Sequence, residues 1–183
     1  NWRSLKPDAT ALWVEVGCGK GKFTAETAAA NPDVLMIAVE RCREAMVVAM
    51  EKAQSMKLTN VFYIDMDVAN IEEIFAGEEI DRLFINFPDP WPRKKNAKRR
   101  LTHRNYLAKY KKLLKEGGLL IFKTDNVGLF DFSIEEFAEF GLKIEWMTRD
   151  LHNSERAEGN VMTEYEKNFS EKGFTINSAI VRF

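Results

Sequence analysis

Two hydrophobic rhythms alternate along the chain. Short continuous apolar runs recur at Ala11-Leu-Trp-Val14 with Val16, at Val34-Leu-Met-Ile-Ala-Val39, at Val61-Phe-Tyr-Ile64, at Leu83-Phe-Ile85 and at Leu119-Leu-Ile-Phe122. Continuous rather than alternating apolar character suits a parallel strand covered on both faces. Between these runs apolar residues return at helical spacing: Phe23 onward among small residues, then Met46, Ala49, Met50, Ala53 and Met56, then a short helix near Ile71 to Phe75. A longer helix follows Thr102, with Tyr106, Tyr110, Leu113 and Leu114 on one face. The methionine stripe reads as core filling. Thr102 reads as that longer helix's cap, and Gly117-Gly118 as its left-handed stop.

Beyond residue 130, Ser133-Ile-Glu-Glu136 reads as a capping box for a helix carried by Ile134, Phe137 and Phe140. Lys143 to Thr148 alternates as a strand does. Thr163-Glu-Tyr-Glu166 is a second capping box ahead of Phe169, and 174–183 reads as a last strand after Gly173. Strand and helix alternating from Leu12 to Phe140 imply crossover units, hence an α/β fold with a mostly parallel, seven-stranded sheet and helices on both faces. No repeat, low-complexity tract or linker interrupts it, so 1–183 is expected to be one domain. The chain opens on Asn1 rather than methionine, from which we expect a further N-terminal segment outside this sequence.

In such sheets ligands sit outside the carboxyl ends of the strands. The rule selects Glu15 with the glycines after it, Glu40, Asp67, Asp89 and Asp125, which fall in different loops yet should meet at one crevice. The first loop is Glu15-Val-Gly17-Cys-Gly19-Lys-Gly21. A dinucleotide fingerprint needs a small residue where Lys22 stands, which disfavours a nicotinamide oxidoreductase. The pattern Glu-x-Gly-x-Gly-x-Gly resembles the first motif of the class I S-adenosylmethionine-dependent methyltransferases, which implies a Rossmann-like fold.

Composition is that of an ordinary soluble globular protein, with 45% hydrophobic and 30% charged residues. No run reaches the length of a membrane span, so no membrane partner is expected; the reading as cytoplasmic rests on Cys18 and Cys42 as reduced thiols. Cys18 and Cys42 make no metal pattern and read as reduced thiols, and the isolated His103 and His152 give no reason to expect a metal. Net charge is −1, but its distribution is uneven: from Pro90 to Lys115 there are eleven Lys or Arg and no Asp or Glu. A solvated helix face is the ordinary meaning of a charge run, yet an acid-free tract beside a candidate site points to nucleic acid. The oligomeric state stays open, a homodimer included.

The sharpest motif is Asn86-Phe-Pro-Asp-Pro-Trp-Pro-Arg-Lys-Lys-Asn-Ala-Lys-Arg-Arg-Leu-Thr102. Its proline core can be neither helix nor central strand. Together with the glycine loop, Lys123-Thr-Asp-Asn126 and Thr163-x-Tyr-Glu166, it resembles the bacterial tRNA (guanine-N7-)-methyltransferases from Val14 to the C-terminus. The resemblance implies S-adenosylmethionine contacts at Glu15, Gly17, Gly19, Gly21, Glu40, Asp67 and Asp89. It implies substrate contacts at Arg93, Asp125, Thr163, Glu164, Tyr165 and Glu166, and an RNA-facing tract of Lys95, Asn96, Ala97, Lys98, Arg99 and Arg100. Two positions depart from the family pattern: Arg93 stands where Lys is usual, and Asn96 where the run is usually basic or histidine. Arg is not a neutral exchange for Lys.

Residue chemistry agrees with that implication. Glu40 lies nineteen residues after Gly21, where an acid holds adenosine ribose hydroxyls. Asp67 suits either the adenine amino group or the N-cap of the next helix, and Glu15 either a ligand ammonium or the ordering of its own loop. Together these acids disfavour a polyphosphate and favour a cationic sulfonium ligand. Guanine N7 carries a lone pair and no proton, so methylation there needs no general base. Asp89 is the candidate catalytic residue, stabilising the positive charge that develops on the purine, and Asp125 could accept from the guanine N1–H and amino edge. Trp91 either stacks on a base or packs beneath the proline loop. N7 is hidden in the deep major groove of A-form duplex, so the target is an exposed guanine, placed by the resemblance in the tRNA variable loop. A non-catalytic RNA-binding module is the alternative, though it would have no need of Glu40 and Asp67.

Overall fold

The structure, a computed structural model, describes residues 2–183. Among the described residues the chain forms β1 (Ala11–Val16), α1 (Lys22–Ala30), β2 (Val34–Glu40), α2 (Arg43–Ser55), β3 (Val61–Asp65) and β4 (Ile80–Asn86). There follow α3 (Arg104–Leu113), β5 (Leu114–Thr124), α4 (Val127–Glu139), β6 (Lys143–Thr148), α5 (Glu164–Ser170) and β7 (Asn177–Arg182). The strands make one sheet in the order β3-β2-β1-β4-β5-β7-β6. Strands β1 to β5 pair in parallel, and β7 runs antiparallel to both β5 and β6. The inner run is buried as its continuity requires, every residue from Val34 to Val39 being in the core, whereas Val61 to Ile64, on the edge strand β3, are only half-buried.

Strand order reverses at β1, which has β2 on one side and β4 on the other. That switch point leaves a crevice at the carboxyl ends of β1 and β4 because their loops leave toward opposite faces. Hydrogen bonds close the strand ends into one ledge. The Gly17 amide donates to the Val39 carbonyl (2.8 Å), Met66 to Glu40 (3.1 Å) and Phe87 to Lys123 (2.8 Å).

Four local expectations are corrected by packing. The methionine stripe is not core filling. Helix α2 buries Ala49 and Ala53, while Met50 is 49% exposed and Met56 lies outside as well. The cause is close approach: a Cβ on Gly21 would lie 2.5 Å from the Ala49 Cβ, so only small residues can face the loop. Thr102 does not cap α3. It is buried against the Ser133 hydroxyl (2.7 Å), and the cap is His103, whose ring accepts from the Asn105 amide (3.1 Å). The glycine pair does not stop α3 either, since β5 begins at Leu114 and Gly117, at φ +73°, sits where pairing with β4 slips register. Finally, Ser133 and Glu136 lie inside α4, which Asn126 caps by accepting from the Leu129 amide (2.8 Å). Glu136 instead accepts from Arg104 (2.6 Å) and ties α4 to α3.

Candidate active site

The crevice floor is built on Glu15. This carboxyl is 1% exposed and accepts from the Thr24 hydroxyl and from the Asn86 amide nitrogen (2.9 Å). Burial raises its pKa to about 7, against the opposing pull of those two hydrogen bonds. The Glu15 oxygen that accepts there fixes the Asn86 amide with its nitrogen inward, so its Oδ1 turns the other way. That oxygen is buried and has no partner among the described residues. Above the floor, Gly17 (φ +74°) and Gly19 (φ +53°) follow a path side chains resist, and a Cβ on either would meet open space. Glu15, Gly17, Gly19 and Gly21 line a cavity of about 200 Å³, opposite Thr163, Glu164 and Tyr165.

A larger cavity of about 480 Å³ adjoins it and shares Gly17, Asn86 and Phe87 with it. Glu40, Asp67 and Asp89 line its far side. The Glu40 carboxylate accepts from the amides of Gly19 (2.9 Å), Arg41 (2.9 Å) and Cys42 (2.8 Å). With about four acceptor positions on a carboxylate, one remains for a ligand hydroxyl while the loop stays held. Asp67 caps the short 3-10 helix Val68–Glu73 by accepting from the Ala69 amide (2.8 Å), so the cap reading of this residue is realised. Its carboxylate also faces Arg41, which lies 3.7 Å from Asp67 and 3.8 Å from Asp89. The cation thus spans the mouth between two acids.

Asp89 stands on the proline loop, with its side chain 68% exposed. Two aromatic residues on that loop adopt left-handed backbone, Phe87 at φ +51° and Trp91 at φ +41°. Such conformations are rare for bulky residues and persist only where surroundings impose them. The basic tract then coils as the short 3-10 helix Lys94–Arg99. Lys95, Lys98 and Arg99 are exposed, Asn96 and Ala97 half-buried, and Arg93 is exposed and lines neither cavity. Arg99 lies over the Trp91 ring (4.5 Å), and both line the larger cavity. Trp91 therefore borders the crevice under a cation rather than packing beneath the loop.

Thr163 and Glu166 form the expected capping box at the start of α5. The Glu166 carboxylate is fully buried, however, and accepts from Lys123 (2.7 Å), His152 (2.8 Å) and Asn160 (2.6 Å). Lys123 also donates to the Val161 carbonyl (2.9 Å). Burial pulls the Lys123 pKa down, and the Glu166 carboxylate beside it pulls it up. Glu166 thus faces the protein rather than the crevice. What faces outward is Tyr165, stacked on Phe169 (4.1 Å), tilted against Phe87 (5.1 Å) and donating to Asp125 (3.3 Å).

The crevice thereby gathers Glu15, the three glycines, Glu40, Asp67, Asp89 and Thr163 to Tyr165. Asp125 joins through Tyr165. Arg93 and most of the basic tract stay outside it. Sequence reasoning missed Arg41, Asn86, Lys123, His152 and Asn160. Asn86 had a signal, an amide at a strand end beside the proline loop; the others look like ordinary surface or strand residues until the fold brings them together. Among the described residues no group of three or more His, Cys, Asp or Glu could hold a metal ion, and no helix is long and apolar enough to cross a membrane.

This strand order, with its reversed last strand and a glycine turn facing a ledge of acids, defines the class of Rossmann-like methyltransferases. A 16S rRNA methyltransferase, KamB, superposes with a TM-score of 0.71 at 17% identity, over 99% of this chain and 91% of its own. A 16S rRNA (adenine(1408)-N(1))-methyltransferase from Catenulisporales acidiphilia, solved with cosubstrate S-adenosylmethionine, gives 0.65 at 14% identity, over 99% and 88%. Residues 9–179 match the family model described as putative methyltransferase. A tRNA (guanine-N(7)-)-methyltransferase of Halalkalibacterium halodurans is 44% identical over 183 residues, all of this chain and 83% of the relative. The chain belongs to the tRNA (guanine-N7-)-methyltransferase family.

Proposed function

We infer that residues 1–183 act as one domain that transfers a methyl group from S-adenosylmethionine to N7 of a guanine in the variable loop of tRNA. The observation that carries this is the position of Asp89. It lies on a strained, proline-bounded loop between an acid-lined crevice and an acid-free cationic segment.

The residues present fit the cofactor. Asn86 Oδ1 is a buried acceptor without a partner among the described residues, suited to an ammonium group, and Glu15 behind it holds the amide in that orientation. Gly17 and Gly19 leave room for a ligand to lie against backbone. Glu40 has an acceptor position free for a ribose hydroxyl, and Asp67 one for an amino group once Arg41 moves aside. S-adenosylmethionine supplies an electrophilic methyl group when bound. Guanine N7 has a lone pair and no proton, so the protein has no proton to remove. Its work is positioning and charge stabilisation. Asp89 stabilises the positive charge arising on the purine, Asp125 and Tyr165 present polar groups to the guanine edge, and Lys94, Lys95, Lys98 and Arg99 take phosphates. A tRNA substrate implies a cytoplasmic site of action.

The test is to incubate the protein with labelled S-adenosylmethionine and bulk tRNA and identify the modified nucleoside. Label in 7-methylguanosine of the variable loop is expected. Binding of tRNA with neither cofactor binding nor label transferred would leave only an RNA-binding module.

A further inference from the structure

We propose that Arg100 is a positioning residue for Asp89, distinct in role from the exposed cations before it; the proposal rests on the methyltransferase reading above. Its guanidinium donates from Nε to the Pro90 carbonyl (3.0 Å) and from Nη2 to the Trp91 carbonyl (3.1 Å). It rests over the Phe132 ring of α4 at 4.3 Å and is half-buried. Among the described residues it has no ion pair, so its hydrogen bonds go to the proline loop.

The loop needs such a partner. Pro88, Pro90 and Pro92 have no amide hydrogen, so the segment cannot be held by a ladder of its own donors. Trp91 nevertheless keeps a left-handed backbone at φ +41°, which something outside it must impose. A planar guanidinium can hold two successive carbonyls in one fixed geometry; an ammonium on a flexible stem cannot. Pinning the carbonyls of Pro90 and Trp91 fixes the Pro90–Trp91 and Trp91–Pro92 peptides, the first of them one residue beyond Asp89, and α4, through Phe132, fixes the pin. A phosphate would compete with those two carbonyls for the same donors. Arg99, one residue earlier, is exposed and lies over the Trp91 ring, free to meet RNA from the outer side.

Arg100→Lys and Arg100→Gln separate the two roles. Methyl transfer is measured in single turnover with cofactor and tRNA saturating, and tRNA affinity is measured across a salt series. Both variants are expected to lose about 10- to 10²-fold in rate, the scale of a displaced reacting group. Affinity should stay within about twofold and the salt slope should be that of the parent, since only phosphate contacts move it. Lys94→Gln, Lys95→Gln and Lys98→Gln combined are expected to lower both affinity and slope. A parental rate for Arg100→Lys overturns the proposal, as does a slope reduced by about 0.7–0.9 in Arg100→Gln, which marks a lost phosphate contact. Tryptic cleavage under native conditions after the exposed Arg93, Lys94 and Lys95 reads the loop without any catalysis. Faster cleavage there in both variants supports the pin, and cleavage at the parental rate overturns it. If the parent itself fails to methylate tRNA, the methyltransferase reading fails, while cleavage still reports whether Arg100 holds the loop.

Discussion

Glu15, inside β1 near its end, and Asp89, just after the neighbouring strand β4, border the same crevice, yet one carboxyl is buried and the other open to water. The difference lies in what holds each in place. Glu15 is fixed by the sheet itself, by Thr24 of α1 and by Asn86 of β4, and burial costs it its ordinary acidity. Asp89 is fixed by a loop without a donor ladder, held from outside by Arg100. A buried group can only be placed by paying desolvation, so the floor suits a permanent charge on a bound ligand. An exposed carboxylate keeps its charge without that cost, so the rim suits a charge that appears only during reaction. The floor and the rim should therefore fail differently when altered: the floor through stability and pH, the rim through rate.

The largest effect is expected at the buried pair that anchors the wall above the floor. Lys123→Met leaves the Glu166 carboxylate buried with only His152 and Asn160 as side-chain partners, and breaking a buried pair in this way costs about 3–5 kcal/mol. Urea unfolding measures it, and adding Glu166→Gln should recover part of the loss. If the double variant is no more stable than the single one, the stranded charge is not the cause. At the rim the effect moves from folding to chemistry. Asp89→Asn should lower the single-turnover rate by about 10²–10³, with parental unfolding and little change in tRNA affinity. Raising the pH should not rescue it, because no proton leaves N7. A near-normal rate at saturation would make Asp89 a binding residue only.

Glu40 lies between the two extremes. Glu40→Ala removes an acceptor of three loop amides as well as the ligand position, and calorimetry should show cofactor affinity weaker by about 1.5–3 kcal/mol. Equal affinity in variant and parent would refute the ribose assignment. The smallest and most specific effect belongs to Glu15. Its pKa rises from the ordinary 4.5 to about 7 on folding. Between those values the native state holds a proton that the unfolded chain has lost, so stability falls as pH rises from about 4.5 to 7. The fall is on the order of 1–3 kcal/mol, and Glu15→Gln should flatten it. A variant with the parent's pH slope would assign the proton elsewhere.

Hydrophobic patterning carried the fold a long way. Continuous apolar runs of strand length are hard to satisfy except in a sheet covered on both faces, and the alternation with helical periods left a crossover topology. Strand-end acids could be found for the same reason, because the rule about carboxyl ends needs only the strand boundaries. Helix limits were less legible. Ser133 and Glu136 have the spacing of a capping box, but their side chains are used by Thr102 and Arg104, from elsewhere in the chain. Methionines at helical spacing looked like core until Gly21 brought α2 so near that only a residue as small as Ala49 fits against it.

By itself the sequence determined the alternation of elements, the glycine turn, the proline loop and the uneven charge, since each depends on residues near one another in the chain. Tertiary structure alone decided which groups are spent. Glu166 and Arg100 belong to motifs that read as substrate and RNA contacts, yet their partners are Lys123, His152 and Asn160 for one and the Pro90 and Trp91 carbonyls for the other. A charged side chain carries no mark of where its partner will be. Hydrogen bonds saturate at short range, so a group's availability to a ligand depends on the packing that places, or withholds, a competing partner within about 3 Å.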